Sequence, residues 1–218
     1  KEKKSSFDKE LIEQLYIDFI LEEKTPIKEV FDLGVNKNIL LIASGKSIIE
    51  NLEVLEEKRK NSNYVFIALN HIPKIECDYY FFTNQKRYDE FQNQLTLSQV
   101  VVTNNIALKN KAYSVLDFAK LAFVNSKLVN NVATVCINHL ISVGFKNIEV
   151  AGIDGYRTDV HNYNYNYDET AYVSDTNALI EQNKLLTESL TFLKNKINIY
   201  FLTPTVLIKK DKLKIIGV

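Results

Sequence analysis

The sequence is poor in glycine, cysteine and histidine, and it contains no methionine. Only 6 of its 218 residues are glycine, well below the usual share of about 7%. We therefore expect each glycine at a position where another residue would fail. The two cysteines, Cys77 and Cys136, stand far apart and match no zinc-binding spacing, which is typical of buried thiols in a reducing cytoplasm. The lack of an initiator methionine indicates either a fragment of a longer polypeptide or N-terminal processing.

Charge and hydrophobicity exclude two further classes of protein. Lys and Arg together number 27 and are balanced by 27 Asp and Glu, so the chain lacks the net basic character that a nucleic-acid binder needs. No apolar run approaches the roughly 18–20 residues that span a bilayer. The three histidines show no metal-ligand spacing. We therefore expect a cytoplasmic protein with no integral membrane segment, no nucleic-acid partner and no metal.

Short apolar runs alternate with amphipathic patterns along the chain. Strands are predicted at 38–43, 64–69, 78–82, 99–102, 147–150 and 197–202, and helices at 47–60, 131–143 and 175–195. The segment 113–128 fits either a strand or a helix, and a hairpin is predicted over 206–218. This alternation predicts an α/β fold of the Rossmann-like type, with an open, mostly parallel sheet and helices on both faces. Residues 1–36 are assigned to a connector helix and 37–218 to the nucleotide-binding domain.

Polar residues follow the first predicted strand, where ligands bind in sheets of this type. They are Ser44, Gly45, Lys46 and Ser47. A glycine lets the backbone approach an anion closely, and a helix start offers N–H donors. The run lacks the spacing of a Walker A loop and the three glycines of the dinucleotide fingerprint. A phosphate site and an ordinary capped turn therefore both remain open.

Hydrogen-bonding residues also follow the second and third strands. Asn70 follows the second strand, and Asn84, Lys86 and Arg87 follow the third. Amides pair with base edges and sugar hydroxyls, while Lys and Arg pair with phosphate. Each residue alone is compatible with a solvated turn, but together they predict a nucleotide pocket at the strand ends.

The turn after the 147–150 strand carries Gly152, Asp154, Gly155 and Tyr156. The glycines allow the carboxylate to project toward a ligand hydroxyl or a neighbouring loop, or Asp154 braces the turn by accepting backbone N–H groups. A Tyr- and Asn-rich stretch follows from His161, and it fits either a disordered loop or a ligand-covering lid. We expect the glycine-containing loops after the first and fifth strands to face each other across one ligand cleft.

The motifs ILLIASGKSI, DYYFFTNQKRY and AGIDGY resemble the C-terminal domain of bacterial aldolase-like proteins. These proteins are related to the hydroxymethylglutaryl-lyase and 4-hydroxy-2-oxovalerate aldolase barrels and are linked with surface-polysaccharide synthesis. The resemblance implies that aldol chemistry belongs to an N-terminal barrel that these 218 residues do not contain. It therefore implies an aldolase barrel as a partner within the full-length protein and no aldolase active site in this chain.

A more distant resemblance is to the Rossmann-like bacterial sialyltransferases that use CMP-sugars, and to pterin-diphosphokinase-like domains. By this similarity the residues that hold the nucleotide are Ser44, Gly45, Asn70 and Asn84. Tyr156, together with Tyr163 or Tyr165, would contact the phosphate. Lys46 replaces the proline of the family loop, and no histidine follows His161 to supply the family's general base.

We therefore expect the chain to bind a nucleotide or a nucleotide sugar, with a CMP-sugar as the ligand that the second resemblance implies. If the domain is catalytic, group transfer would use Tyr156, Lys46 or Arg87 at the leaving phosphate and His161 as the base. The alternative function is a non-catalytic accessory or regulatory module of an aldolase barrel. The sequence leaves a homo-oligomer open.

Overall fold

The computed structural model of the chain describes residues 17–18, 26–28, 33–34, 36–109, 112–124, 127–128, 131–157 and 176–207. Within these residues, the main sheet has seven parallel strands in the order β5-β4-β3-β2-β1-β8-β9. The strands are β1 (Asn38–Ile42), β2 (Tyr64–Leu69), β3 (Tyr79–Phe82), β4 (Val100–Thr103), β5 (Ser114–Leu116), β8 (Asn147–Ala151) and β9 (Asn198–Phe201). A separate antiparallel pair consists of β6 (Phe123–Val124) and β7 (Lys127–Leu128).

Helices cover both faces of the sheet because successive strand residues point to opposite sides. The α-helices described are Ser47–Glu50, Leu52–Arg59, Gln85–Phe91, Phe118–Ala122, Val132–Ser142 and Thr176–Leu193, with 3₁₀ turns at Gln92–Gln94 and Leu97–Gln99. Ile39 and Leu41 of β1 belong to the hydrophobic cluster that includes the last two helices. Leu40 and Ile42 belong to the opposite cluster, which includes Leu55. The predicted Rossmann-like α/β fold is confirmed.

Two predicted segments differ in detail from the structure. The 47–60 helix is interrupted at Asn51, where φ is −118° and ψ is 18°. The Asn51 side-chain Nδ2 donates to the Ser47 carbonyl over 2.8 Å and competes with the backbone bond that would continue the helix. The ambiguous 113–128 segment contains both element types, β5 followed by the helix Phe118–Ala122.

The two ends of the chain lie largely outside the described residues. Ile17 and Asp18 are helical, and Lys28 forms an antiparallel bridge with Val115 on β5. The predicted hairpin is described only at Val206 and Leu207, so the hairpin and the connector helix remain predictions. No helix in the described ranges has the length and apolar character that crossing a membrane requires.

The strand order creates a crevice at the carboxyl end of β1. From β1 the chain builds the sheet outward through β2 to β5 on one side, and it later adds β8 and β9 on the other side. Loops that leave neighbouring strands in opposite directions open a crevice between them, which is where open α/β sheets bind ligands. The 44–47 loop and the 152–156 loop both lie at this point.

Candidate functional site

A cavity of about 280 Å³ lies at the carboxyl edge of the sheet. Its volume is close to the lower end of the range for small-molecule sites, roughly 300–1,000 Å³. Eight residues predicted for the site line this cavity, namely Ser44, Gly45, Asn70, Asn84, Arg87, Gly152, Asp154 and Tyr156. Ser47 is buried outside the lining, and Lys46 and Lys86 are exposed and also outside it. The fold thus gathers most, but not all, of the predicted residues around one cavity.

The two glycine-containing loops touch each other directly. The Gly45 N–H donates to the Gly152 carbonyl over 2.9 Å, because β1 and β8 are neighbouring strands. A Cβ at Gly45 would overlap the Gly152 carbonyl oxygen and lie 2.5 Å from Asp154 Cγ. The expectation that these loops face each other across a cleft is therefore wrong: together they form one wall of the cavity.

Asp154 braces this junction. Its Oδ2 accepts the Ser47 backbone N–H over 2.8 Å, and its Oδ1 accepts the Ser47 hydroxyl over 2.5 Å. Burial raises the pKa of the Asp154 carboxyl, and the two Ser47 donors act in the opposite direction. The Asp154 carboxylate thus projects toward the neighbouring 44–47 loop, where it accepts from Ser47 and from no N–H group described in its own turn. Asp154 also lines the cavity.

Four asparagines line the other parts of the cavity, and three of them hold backbone N–H groups, Asn70 in the neighbouring loop after β3 and Asn84 and Asn131 in their own loops. Asn70 Oδ1 accepts from Thr83 N over 3.0 Å, Asn84 Oδ1 from Arg87 N over 3.1 Å, and Asn131 Oδ1 from Ala133 N over 2.9 Å. A backbone N–H can only donate, so each of these contacts requires the oxygen, and the amide nitrogen must point elsewhere.

The amide nitrogens of these three side chains are therefore available as donors. Among the described residues, the hydrogen bonds of the Asn70, Asn84 and Asn131 side chains are those accepted by Oδ1, and Nδ2 makes none. The fourth side chain, Asn105, uses its Nδ2 to donate to the Thr83 carbonyl over 3.1 Å. Asn70 adopts a φ of 58°, a left-handed conformation that asparagine tolerates better than most residues. The cavity lining thus includes three carboxamides whose oxygens are held by backbone N–H groups and whose nitrogens make no hydrogen bond within the described part of the chain.

Arg87 supplies positive charge to the same wall. Its side chain is largely buried, and its Nη1 donates to Glu90 Oε2 over 2.8 Å. His71 lies buried behind the lining, and its Nδ1 is 3.1 Å from the Leu69 carbonyl. Burial, with a smaller effect from the Arg87 charge, lowers the pKa of His71 to about 4. His71 is therefore neutral near pH 7, and among the described residues that line the cavity Arg87 is the one Lys or Arg side chain, already paired with Glu90.

Tyr156 lines the cavity at the end of the 152–156 loop. Its backbone is held on both sides by the Asn183 side chain, which accepts from Tyr156 N over 2.8 Å and donates to Tyr156 O over 2.7 Å. The other predicted catalytic residue, His161, lies outside the described residues, as do Tyr163 and Tyr165. Their roles remain predictions.

Three residues of the site are absent from the sequence predictions. Asn105 is the second residue after β4 (Val100–Thr103), so its position near the end of a buried strand was a usable signal. Asn131 stands at the start of the predicted 131–143 helix, and in the structure it caps the helix Val132–Ser142. Asn183 lies within the helix Thr176–Leu193, and nothing in its local sequence marks it.

The fold and the site together define a Rossmann-like α/β protein with a polar cavity at the topological switch point. Among solved structures, the chain is similar to the MAf glycosyltransferase from Magnetospirillum magneticum AMB-1, with a TM-score of 0.54 and 12% sequence identity. The match covers 89% of this chain and 36% of that protein, so the similarity is one of fold. No family model and no curated protein matches the chain.

Proposed function

We propose that the cavity binds a nucleotide or a nucleotide sugar and that the chain is a glycosyltransferase-like domain. The observation that carries the proposal is the set of amide nitrogens of Asn70, Asn84 and Asn131, whose orientation follows from the backbone N–H groups that hold their oxygens. Such donors match the carbonyl and hydroxyl oxygens of a base and a ribose. The similar fold of a solved glycosyltransferase supports the transferase part of the proposal.

The phosphate is proposed to lie beside Arg87 rather than at the turn after β1. Ser47 donates both its N–H and its hydroxyl to Asp154, so the anion-binding position at that turn is already filled by a carboxylate of the chain. Arg87 offers a guanidinium that can pair with phosphate oxygens. Asn84, the cap of the helix that carries Arg87, lines the cavity next to it.

The apolar part of the lining suits the flat face of a base or the carbon skeleton of a sugar. It includes Leu69, Phe118, Ile153 and Leu186. Ligand sites commonly combine such surfaces with a few polar groups that set orientation. A nucleotide offers both kinds of surface, whereas inorganic phosphate would leave the apolar lining uncovered.

A transfer reaction at this site would break the bond between the sugar's anomeric carbon and the phosphate oxygen. A hydroxyl oxygen of the acceptor would form the new bond and lose its proton to His161. The departing phosphate would gain a hydrogen bond from the Tyr156 hydroxyl. The aldolase-like context of the full-length protein rests on the sequence resemblance and is part of the proposal.

Thermal unfolding with a panel of nucleotides and CMP-, UDP- and GDP-sugars tests the binding proposal. A compound at 100 times its Kd stabilises a protein by about 2.7 kcal/mol, which raises the Tm of a chain of this size by roughly 5–10 °C. We expect such a shift for at least one compound. No shift with any of them would refute nucleotide binding.

Two neighbouring basic residues provide a matched pair of variants for the same experiment. Arg87→Gln removes the charge that faces the cavity, whereas Lys86→Gln removes an exposed charge outside the lining. We expect Arg87→Gln to abolish the Tm shift caused by phosphate-bearing compounds and Lys86→Gln to retain it. Equal shifts in the two variants would contradict the phosphate position, provided that both unfold cooperatively without ligand.

A further inference from the structure

The 152–156 loop is fixed at every second residue by groups from later in the chain. Gly152 N donates to Thr203 Oγ1 over 2.8 Å, and the Asp154 carbonyl accepts from Val206 N over 2.8 Å. The third contact is the pair of hydrogen bonds between the Asn183 side chain and the backbone of Tyr156. The first two lie between the loop and the segment that follows β9, and only the third involves a helix.

The Asn183 side chain alone satisfies both backbone polar groups of Tyr156, its N–H and its C=O. A carboxamide carries one acceptor and one donor side by side, so it can match the N–H and the C=O of one residue as a neighbouring strand would. The two distances, 2.8 and 2.7 Å, are those of well-formed hydrogen bonds. Aspartate, serine or alanine at this position could not make both bonds in the same way.

The space around the loop leaves little room for other arrangements. A Cβ at Gly155 would lie 2.6 Å from Val206 Cγ2 and 3.1 Å from Asn183 Oδ1. The backbone that leads to Tyr156 is thus enclosed between the helix Thr176–Leu193 and the segment after β9. Tyr156 follows at once and lines the cavity.

We infer that Asn183 is a positioning residue that fixes Tyr156 for contact with the phosphate of the bound nucleotide. The inference rests on the proposed function, because it takes the cavity as the nucleotide site. Asn183 acts on the ligand through Tyr156, and it is absent from the cavity lining. Its removal should therefore affect the phosphate end of a ligand and spare the nucleoside end.

The test measures binding of CMP and of cytidine, which lacks the phosphate, by isothermal titration calorimetry. The variants are Asn183→Ala, Tyr156→Phe and the double variant, with Gln182→Ala as a control at an exposed position on the same helix. Loss of a hydrogen bond to a charged group weakens binding by about tenfold or more. We expect Asn183→Ala to weaken CMP binding about tenfold, to leave cytidine binding unchanged, and to add little when Tyr156→Phe is already present.

The outcomes separate the two proposals. If the wild-type chain binds neither CMP nor cytidine and responds to no compound of the wider panel, the proposed function is refuted, and this inference with it. If the wild-type chain binds CMP, two results would overturn only the role of Asn183. One is an equal loss of affinity for CMP and for cytidine in Asn183→Ala, and the other is a loss of CMP affinity in the double variant equal to the sum of the two single losses. If Asn183→Ala does not fold, Asn183→Asp keeps the acceptor for Tyr156 N and removes the donor to Tyr156 O. Wild-type CMP affinity in that variant would also overturn the inference.

Discussion

Gly45→Ala strongly perturbs the junction between the loops after β1 and β8. The added Cβ would overlap the Gly152 carbonyl oxygen and lie 2.5 Å from Asp154 Cγ. The aspartate could move, but the carbonyl belongs to the backbone directly after β8. To admit the methyl group, the loops must separate, which strains the hydrogen bond from Gly45 N to Gly152 O.

The expected loss of stability follows from these two effects. Overpacking at a closed position costs about 1–3 kcal/mol, and a weakened backbone hydrogen bond adds about 0.5–1.5 kcal/mol. We therefore expect the free energy of unfolding to fall by about 2–4 kcal/mol. Urea denaturation followed by far-UV circular dichroism measures this loss through the shift of the midpoint at constant slope.

Gly144→Ala provides the control. Gly144 has a φ of 99°, and a Cβ there would meet nothing within 4 Å, so this substitution carries only the conformational cost of about 1–2 kcal/mol. It lies at the end of the helix Val132–Ser142, away from the cavity lining. A loss for Gly45→Ala no larger than that for Gly144→Ala would refute the close contact of the two loops. We also expect the ligand-dependent Tm shift to disappear in Gly45→Ala and to persist in Gly144→Ala.

The remaining predictions concern buried groups. Burial lowers the pKa values of His71 and His139 to about 4, so between pH 6.5 and 4 the unfolded chain binds more protons than the folded chain. The two histidines should therefore leave the free energy of unfolding constant above about pH 6.5, and below it each should lower that free energy by up to about 1.4 kcal/mol per pH unit. Urea unfolding measured across this pH range should show a shallower fall for His71→Asn than for the wild-type chain. An equal slope in the two proteins would contradict a buried, neutral His71. Burial raises the pKa values of the Cys77 and Cys136 thiols. Ellman's reagent should therefore react with both thiols in urea and with neither in the folded chain. Fast reaction of the native protein would be inconsistent with the fold. Asn131→Ala should lower the free energy of unfolding by about 1 kcal/mol through loss of the helix cap, and it should also weaken nucleotide binding. An unchanged binding affinity would show that Asn131 is not part of the site.

Six strands of the main sheet could be predicted from the sequence because each is a short apolar run bounded by polar turns, whereas the three-residue β5 lies in the segment that fitted either element type. For β2 the predicted bounds and the observed bounds, Tyr64–Leu69, agree fully. The end of the helix Val132–Ser142 was equally accessible, since Gly144 N donates to Ile141 O and Phe145 N to Leu140 O in the pattern that a glycine cap favours. These features depend on interactions between residues close in sequence.

The features that could not be predicted depend on distant residues. Asp154 and Ser47 are 107 positions apart, and their contact exists because β8 lies beside β1 in the sheet. Strand order is not encoded in any local pattern, so the sequence could show neither that Ser47 is the partner of Asp154 nor that the two glycine loops touch. The same reason explains why Asn183, on a late helix, gave no signal. Asn51 shows a smaller failure, because its side chain interrupts a helix whose apolar pattern continues.

The central claim is that asparagine side-chain amides hold the nucleotide, and NMR of the chain labelled with ¹⁵N at asparagine tests it most directly. The side-chain NH₂ signals of Asn70, Asn84 and Asn131, assigned by single substitutions, should shift when CMP or whichever nucleotide the panel selects is added. The Asn198 side chain, which donates to Asn147 Oδ1 over 2.9 Å at the opposite end of the strands, should not shift. Unchanged signals from Asn70, Asn84 and Asn131 at a nucleotide concentration that raises the Tm would contradict the account.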